Sequence, residues 1–201
     1  MVGLRWHEGS LYIVQHGRDQ LNVLWPELYT AEQNANLPSE TLLKAEDGSN
    51  FGWPYCYHDW MQNKLVLNPE YGGDGRKADR CAQMTQPLAA FPGHWAPNDL
   101  LFYNGTQFPA KYRGGVFIAF HGSWNRAPLP QAGYNVTFVP FDGQKVTGPY
   151  EVFAGGFGGP NPGPVNATAR PNGLAMGPDG SLYVATDQGG GRLWRVMYRS
   201  R

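Results

Sequence analysis

The sequence predicts an all-β fold assembled from short, four-stranded antiparallel units. Three observations predict it. Short runs rich in β-branched and aromatic residues alternate with Gly/Pro-rich turns along most of the chain. No stretch carries the period of an amphipathic helix. A weak internal repeat is also present. Gly3-Leu4 followed by Gly9-Ser10-Leu11-Tyr12-Ile13-Val14 recurs as Gly173-Leu174 followed by Gly180-Ser181-Leu182-Tyr183-Val184-Ala185, with Gly114-Gly115-Val116-Phe117-Ile118-Ala119 as a middle copy. Repeated short-strand units of this kind point to β-propeller blades. At ~40–50 residues per blade, 201 residues supply about three to four blades once an irregular insertion around 22–92 is set aside. The expectation is one partial propeller domain over residues 1–201.

In chain order, 9–14 reads as a strand ending at Gln15-His16-Gly17-Arg18-Asp19-Gln20. Residues 41–46 fit a strand or a helical turn. Asn50 to Cys56 is aromatic and turn-rich, and 59–86 is irregular around Gly72-Gly73-Asp74-Gly75. A structureless stretch of that length is unusual and is often functional or stapled. Beyond Pro92 four strands are expected at 100–103, 115–120, 135–141 and 150–153, with Asp142-Gly143 as a hairpin turn. A Gly/Pro run (155–164) breaks the chain before strands at 181–186 and 192–198.

Charged residues make up 16% of the chain and the net charge is zero. There is no basic stripe, so nucleic acid is not an expected partner. No apolar run reaches the length of a membrane span, and no signal peptide is visible. Cys56 and Cys81 both lie in loop-like sequence and read as a disulfide; a reactive thiol is the alternative. Closing that loop would restrain the unfolded chain by roughly 3 kcal/mol, and the bond would place the protein in an oxidising compartment. Two cysteines alone make a poor zinc site.

The chemistry concentrates at Ala119-Phe120-His121-Gly122-Ser123-Trp124-Asn125-Arg126. A buried-type strand here runs straight into an imidazole, an indole, an amide and a guanidinium. Binding and catalytic groups are commonly presented in this way, on a loop held by a rigid strand. The glycine runs at 155–159 and 189–191 do not open a helix after a strand, as a phosphate loop must.

Five motifs together resemble the C-terminal half of the glucose/sorbosone dehydrogenase family, and its L-sorbosone dehydrogenase-like members most of all. They are Leu11-Tyr12-Ile13-Val14-Gln15-His16-Gly17-Arg18-Asp19-Gln20-Leu21, Asn50-Phe51-Gly52-Trp53-Pro54-Tyr55-Cys56, His94-Trp95-Ala96-Pro97-Asn98, His121 to Arg126, and Arg170-Pro171-Asn172-Gly173-Leu174. The resemblance implies a six-bladed propeller and a periplasmic or secreted quinoprotein. It implies pyrroloquinoline quinone (PQQ) and Ca2+ as cofactors and a small-molecule sugar or sugar aldehyde as substrate, with hydride passing to the quinone. The electron acceptor is left unspecified.

On that resemblance the cofactor-binding residues are His94, Trp124, Asn125, Arg126, Arg170 and Asn172, with Trp95 or Trp124 covering the ring and His121 the catalytic candidate. Arginine forks match the quinone's carboxylates. Backbone oxygens of Gly17 and Arg18 are the calcium ligands by the same route, although the family's soluble glucose dehydrogenases have Gly-Pro where this chain has Gly-Arg. Met1-Val2 stands where the family commonly has a PQQ-contacting Arg-Asn pair, and the glucose dehydrogenase base lies in the other half. A truncated form is therefore expected, and a homodimer of half-rings would cover its open sheet edges. The alternative is a non-catalytic propeller-type binding module, because Pro178-Asp179-Gly180-Ser181-Leu182-Tyr183 also resembles NHL-like repeats.

Overall fold

The computed structural model describes residues 1–199. The first strands are β1 (Gly3–His7) and β2 (Ser10–Gln15), followed by two short helices, α1 (Leu21–Leu24) and α2 (Ala31–Asn36). Next come β3 (Glu40–Ala45), a hairpin of β4 (Cys56–Asp59) and β5 (Lys64–Leu67), and β6 (Ala89–Phe91). Then follow β7 (Pro97–Phe102), β8 (Val116–Phe120), β9 (Asn135–Val139), the small hairpin β10 (Phe141–Asp142) and β11 (Lys145–Val146), and β12 (Glu151–Ala154). The chain closes with β13 (Arg170–Met176), β14 (Leu182–Asp187) and β15 (Arg192–Val196).

These strands form antiparallel sheets in the orders β1-β2-β3-β6, β7-β8-β9-β12 and β13-β14-β15. They are propeller blades: two of four strands and one of three. The irregular stretch expected at 22–92 is more ordered than its composition implied. It holds β3 and β6, which complete the first blade, and the β4–β5 hairpin. Residues 41–46 resolve as strand because β3 pairs with β2 on one side and β6 on the other. Asp142-Gly143 turns a hairpin of its own, β10–β11, rather than joining two blade strands.

The continuous apolar run of β8 has a direct cause. Side chains alternate across a strand. Val116, Ile118 and Phe120 enter the core between the first and second blades, while Phe117 and Ala119 enter the core between the second and third. A strand covered on both faces has no polar side to show.

The innermost strands β1, β7 and β13 lie side by side, and Asp99 on β7 ties them together. Its carboxylate accepts from Arg5 of β1 at 3.0 Å and from the Leu174 amide of β13 at 2.8 Å. Gly3 permits the close approach: a Cβ there would sit 3.0 Å from Asn98 O and Asp99 Cα.

Cys56 and Cys81 are disulfide-bonded. Beside that bond, His58 is buried and contacts Ser39 Oγ at 2.9 Å. Burial pushes its imidazole down to about 4, with the Asp59 charge opposing weakly. A histidine whose folded pKa lies below its unfolded value stabilises the fold above pH 6.5 and loses that contribution as pH falls towards 4. In urea unfolding at pH 7 and pH 4.5, His58→Phe is expected to lose less stability on acidification than the parent. Parallel losses in both would refute this.

Candidate functional site

The register places one end of every blade together. Gly3 pairs with Val14, Pro97 with Phe120 and Arg170 with Asp187. The starts of the inner strands and the loops leaving β2, β8 and β14 therefore meet at one end of the propeller axis.

Two inner strands are bulged there. Pairing skips Asn98 between Pro97 and Asp99, and skips Asn172 between Pro171 and Gly173. A bulge re-aims a side chain next to a site. Here it brings the two asparagines together across blades: Asn98 Nδ2 donates to Asn172 Oδ1 at 2.8 Å. On the other side His16 Nε2 lies 3.1 Å from Pro97 O and 3.2 Å from Asn98 Oδ1. Two oxygen acceptors assign the proton to Nε2. Burial lowers the His16 pKa, against the Pro97 and Asn98 hydrogen bonds.

Arg170, the first residue of β13, folds back on the 121–126 loop. Its Nε donates to His121 O at 3.0 Å and its Nη2 to Gly122 O. Gly122 is required where it stands: φ is +94°, and a Cβ would fall 2.3 Å from the Tyr134 ring. His121 Nε2 lies 2.9 Å from both oxygens of Asp187. That contact fixes the tautomer and leaves Nδ1 as the accepting nitrogen. Burial lowers the His121 pKa; Asp187 opposes and Arg170 reinforces.

A second layer lies behind this cluster. Asp19 Oδ1 accepts from Asn125 Nδ2 at 2.7 Å and from His94 Nδ1 at 3.0 Å, while His94 Nε2 donates to Asn34 O at 2.7 Å. Burial opposes a charge on His94, but Asp19, the Asn34 carbonyl and Glu40 together raise its pKa. The His94 hydrogen bond correspondingly lowers that of Asp19. Glu40 is buried and accepts from the Gly17 amide at 3.2 Å. Burial raises it to about 8, against the amides of Ala96, Gly17 and His94. These contacts join the Gly17–Asp19 loop to the 93–97 loop.

Arg126 corrects the sequence reading. Its guanidinium points away from the axis and is buried. It donates to Ala35 O at 2.8 Å, Gly93 O at 2.9 Å, Asn36 Oδ1 at 3.1 Å and Pro130 O at 3.3 Å. A buried fork with four of its five N–H groups committed to protein acceptors has no bidentate face left for a ligand. His94 is likewise engaged within the protein, and Trp95 packs edge-on against Phe120. Trp124 is exposed. Of the expected cofactor-binding residues, Arg170 and Asn172 reach the axial cluster, Trp124 lies free on the same loop as His121, and Asn125 braces Asp19. His16, Asn98, Asp187 and Glu40 were not singled out from the sequence. A usable signal existed for Asn98, because Pro-Asn opens both Pro97-Asn98 and Pro171-Asn172.

The fold and this cluster define a β-propeller whose polar site sits at one axial end, built from loop ends of adjoining blades. The chain belongs to the TrAA12-like family, whose model matches residues 1–198. It is 30% identical over 192 residues to a pyrroloquinoline quinone-dependent pyranose dehydrogenase of Coprinopsis cinerea, a match covering 78% of this chain and 24% of that protein. A glucose dehydrogenase structure superposes with a TM-score of 0.64 at 23% identity, over 99% of this chain and 44% of its own. The calcium structure of the Trichoderma reesei Carbohydrate-Active Enzymes Family AA12 protein does so with a TM-score of 0.64 at 19% identity, over 96% and 50%. The chain thus spans half or less of the length of each of these relatives, and its fold is that of PQQ-dependent sugar dehydrogenases.

Proposed function

We propose that the axial cluster is part of a PQQ-dependent dehydrogenase site acting on a sugar or sugar-derived aldehyde of the glucose or sorbosone type. The observation that carries this reading is the convergence of Arg170, Asn172, Asn98, His16 and the His121–Asp187 pair from three blades. The donor set suits a planar, carboxylated quinone. Arg170 Nη1 has no hydrogen-bond partner among the described residues, so it can donate to a carboxylate while Nε and Nη2 hold the loop. When bound, PQQ supplies the two-electron acceptor.

His121, oriented by Asp187, would take a hydroxyl proton at Nδ1. Asn98 and Asn172 offer amide hydrogen bonds that orient a ligand above the axis. Calcium, as the family resemblance implies, would rest on the backbone oxygens of Gly17 and Arg18. Asn125 Oδ1, buried and without a partner among the described residues, is a further oxygen on the neighbouring loop. The disulfide fits a periplasmic or secreted location.

The test is a PQQ titration of the purified chain with and without calcium. Saturable, calcium-dependent binding is expected, weakened about tenfold or more in Arg170→Ala. Dye reduction with aldoses and sorbosone would follow. No binding by a sample shown to be folded would overturn the reading for this chain.

A further inference from the structure

Beside the axial cluster runs a cleft whose aromatic walls the cofactor reading does not use. A cavity of about 460 Å³ is lined by Trp53, Tyr71 and Leu24 as apolar walls and by Asp19, Gln20 and Glu70 as polar rim. A smaller one of about 230 Å³ opens beside His16 and Gly17, and the two share Arg18 and Trp53. The groove therefore passes from the site, across the Trp53 indole, to Tyr71. Trp53 is 64% exposed and Tyr71 45%.

The walls are held in place before any ligand arrives. Tyr71 packs edge-on against Tyr55 at 4.6 Å, and Arg80 lies 4.5 Å over the Tyr55 ring. Arg18 is fixed by Glu70, by Asn68 Oδ1 and by the Trp25 ring 4.9 Å away. Because Arg18 and Glu70 neutralise one another, the described side chains lining the groove offer no unpaired cation to an anionic ligand. Asp19 spends Oδ1 on Asn125 and His94. Its Oδ2 and the Gln20 amide have no hydrogen-bond partners among the described residues, so both are available to hydroxyl groups.

Rigid aromatic faces beside a few polar groups are what a pyranose ring requires, since it is apolar on its C–H faces and polar at its edge. We propose that this groove is a subsite for the non-reacting rings of a neutral oligosaccharide, Trp53 being its principal stacking platform. The assignment rests on the sugar-dehydrogenase reading for what occupies the axial end, but the groove's own binding does not require a cofactor.

The experiment is therefore done on the full chain without PQQ, by calorimetry with cellotetraose, maltotetraose and glucose. At least one tetraose is expected to bind saturably and more tightly than glucose. Trp53→Ala should weaken it about tenfold or more, while Trp6→Ala, an exposed tryptophan on β1, leaves it unchanged. Circular dichroism checks that both variants are folded. Failure of both tetraoses to bind, or binding that survives Trp53→Ala, would overturn the proposal. A failed PQQ titration with intact tetraose binding would remove the enzymatic reading and leave the groove standing.

Discussion

Arg126→Ala is expected to destabilise the protein by about 3 kcal/mol or more, since each buried acceptor left unpaired costs ~1–3 kcal/mol and two are fully buried. The guanidinium bonds to Ala35 O and Asn36 Oδ1, at the last two residues of α2, and to Gly93 O and Pro130 O. Carbonyls at a helix end have no partner within the helix. Arg126 supplies one from a different blade and so clamps α2, the 93–97 loop and its own loop together. Alanine would strand the buried Ala35 and Gly93 carbonyls, while Asn36 Oδ1 and Pro130 O are only part-buried. Lysine is a poor substitute, because one ammonium cannot span acceptors laid out for a planar fork. Urea unfolding of Arg126→Ala and Arg126→Lys measures the effect, and both midpoints should fall, alanine's further. An unchanged midpoint with a selective loss of PQQ binding would return Arg126 to the ligand and refute the clamp.

The same residue shows where sequence reasoning stops. Residue type and a strand-end position placed Arg126 and Arg170 on equal terms. Direction separates them, and direction depends on which neighbour each loop folds against. Arg170 sits at the head of an inner strand that the sequence pattern did not mark, so its place in the ring comes from the fold and the motif rather than from periodicity. Arg126 lies in a loop with a free choice between the axis and α2, which nothing in its local sequence decides.

Most of the other blade strands were readable, β8 because two-sided burial writes itself as an apolar run, but the inner strands β1 and β13 were not. The strands β4, β5 and β6 were not, being three or four residues long and held by tertiary contacts. Helix α2 carries a capping box in Thr30 and Gln33, but at six residues it has no period to detect. Glu40 gave no warning either. A glutamate after Pro-Ser reads as solvent-facing, and only the fold puts the Gly17 amide against it.

The Cys56–Cys81 bond carries the second large expectation. Replacing both residues by alanine should lower stability by about 3 kcal/mol in the loop-entropy account, for a sequence separation of 25. In a chain of this size that corresponds to a fall in Tm of roughly 6–12 °C. The loss should not spread evenly. Cys56 opens β4 and Cys81 lies in the short turn 79–83, both buried with Leu65, Leu67 and Met84 in a cluster separate from the two inter-blade cores. The hairpin in turn holds Asn68, which bonds Arg18 and the Pro54 carbonyl.

Loosening it should therefore expose the 59–86 segment to protease before the blades open, and relax the Arg18 side of the groove while Arg170 and Asn172 stay in place. Thermal melts and limited proteolysis of Cys56→Ala/Cys81→Ala would show this as early cleavage within 59–86 with the fragment 97–196 persisting. Simultaneous loss of both regions would mean that the staple supports the whole propeller rather than one flank. An unchanged Tm would mean that the packing of Leu65, Leu67 and Met84 already suffices without it.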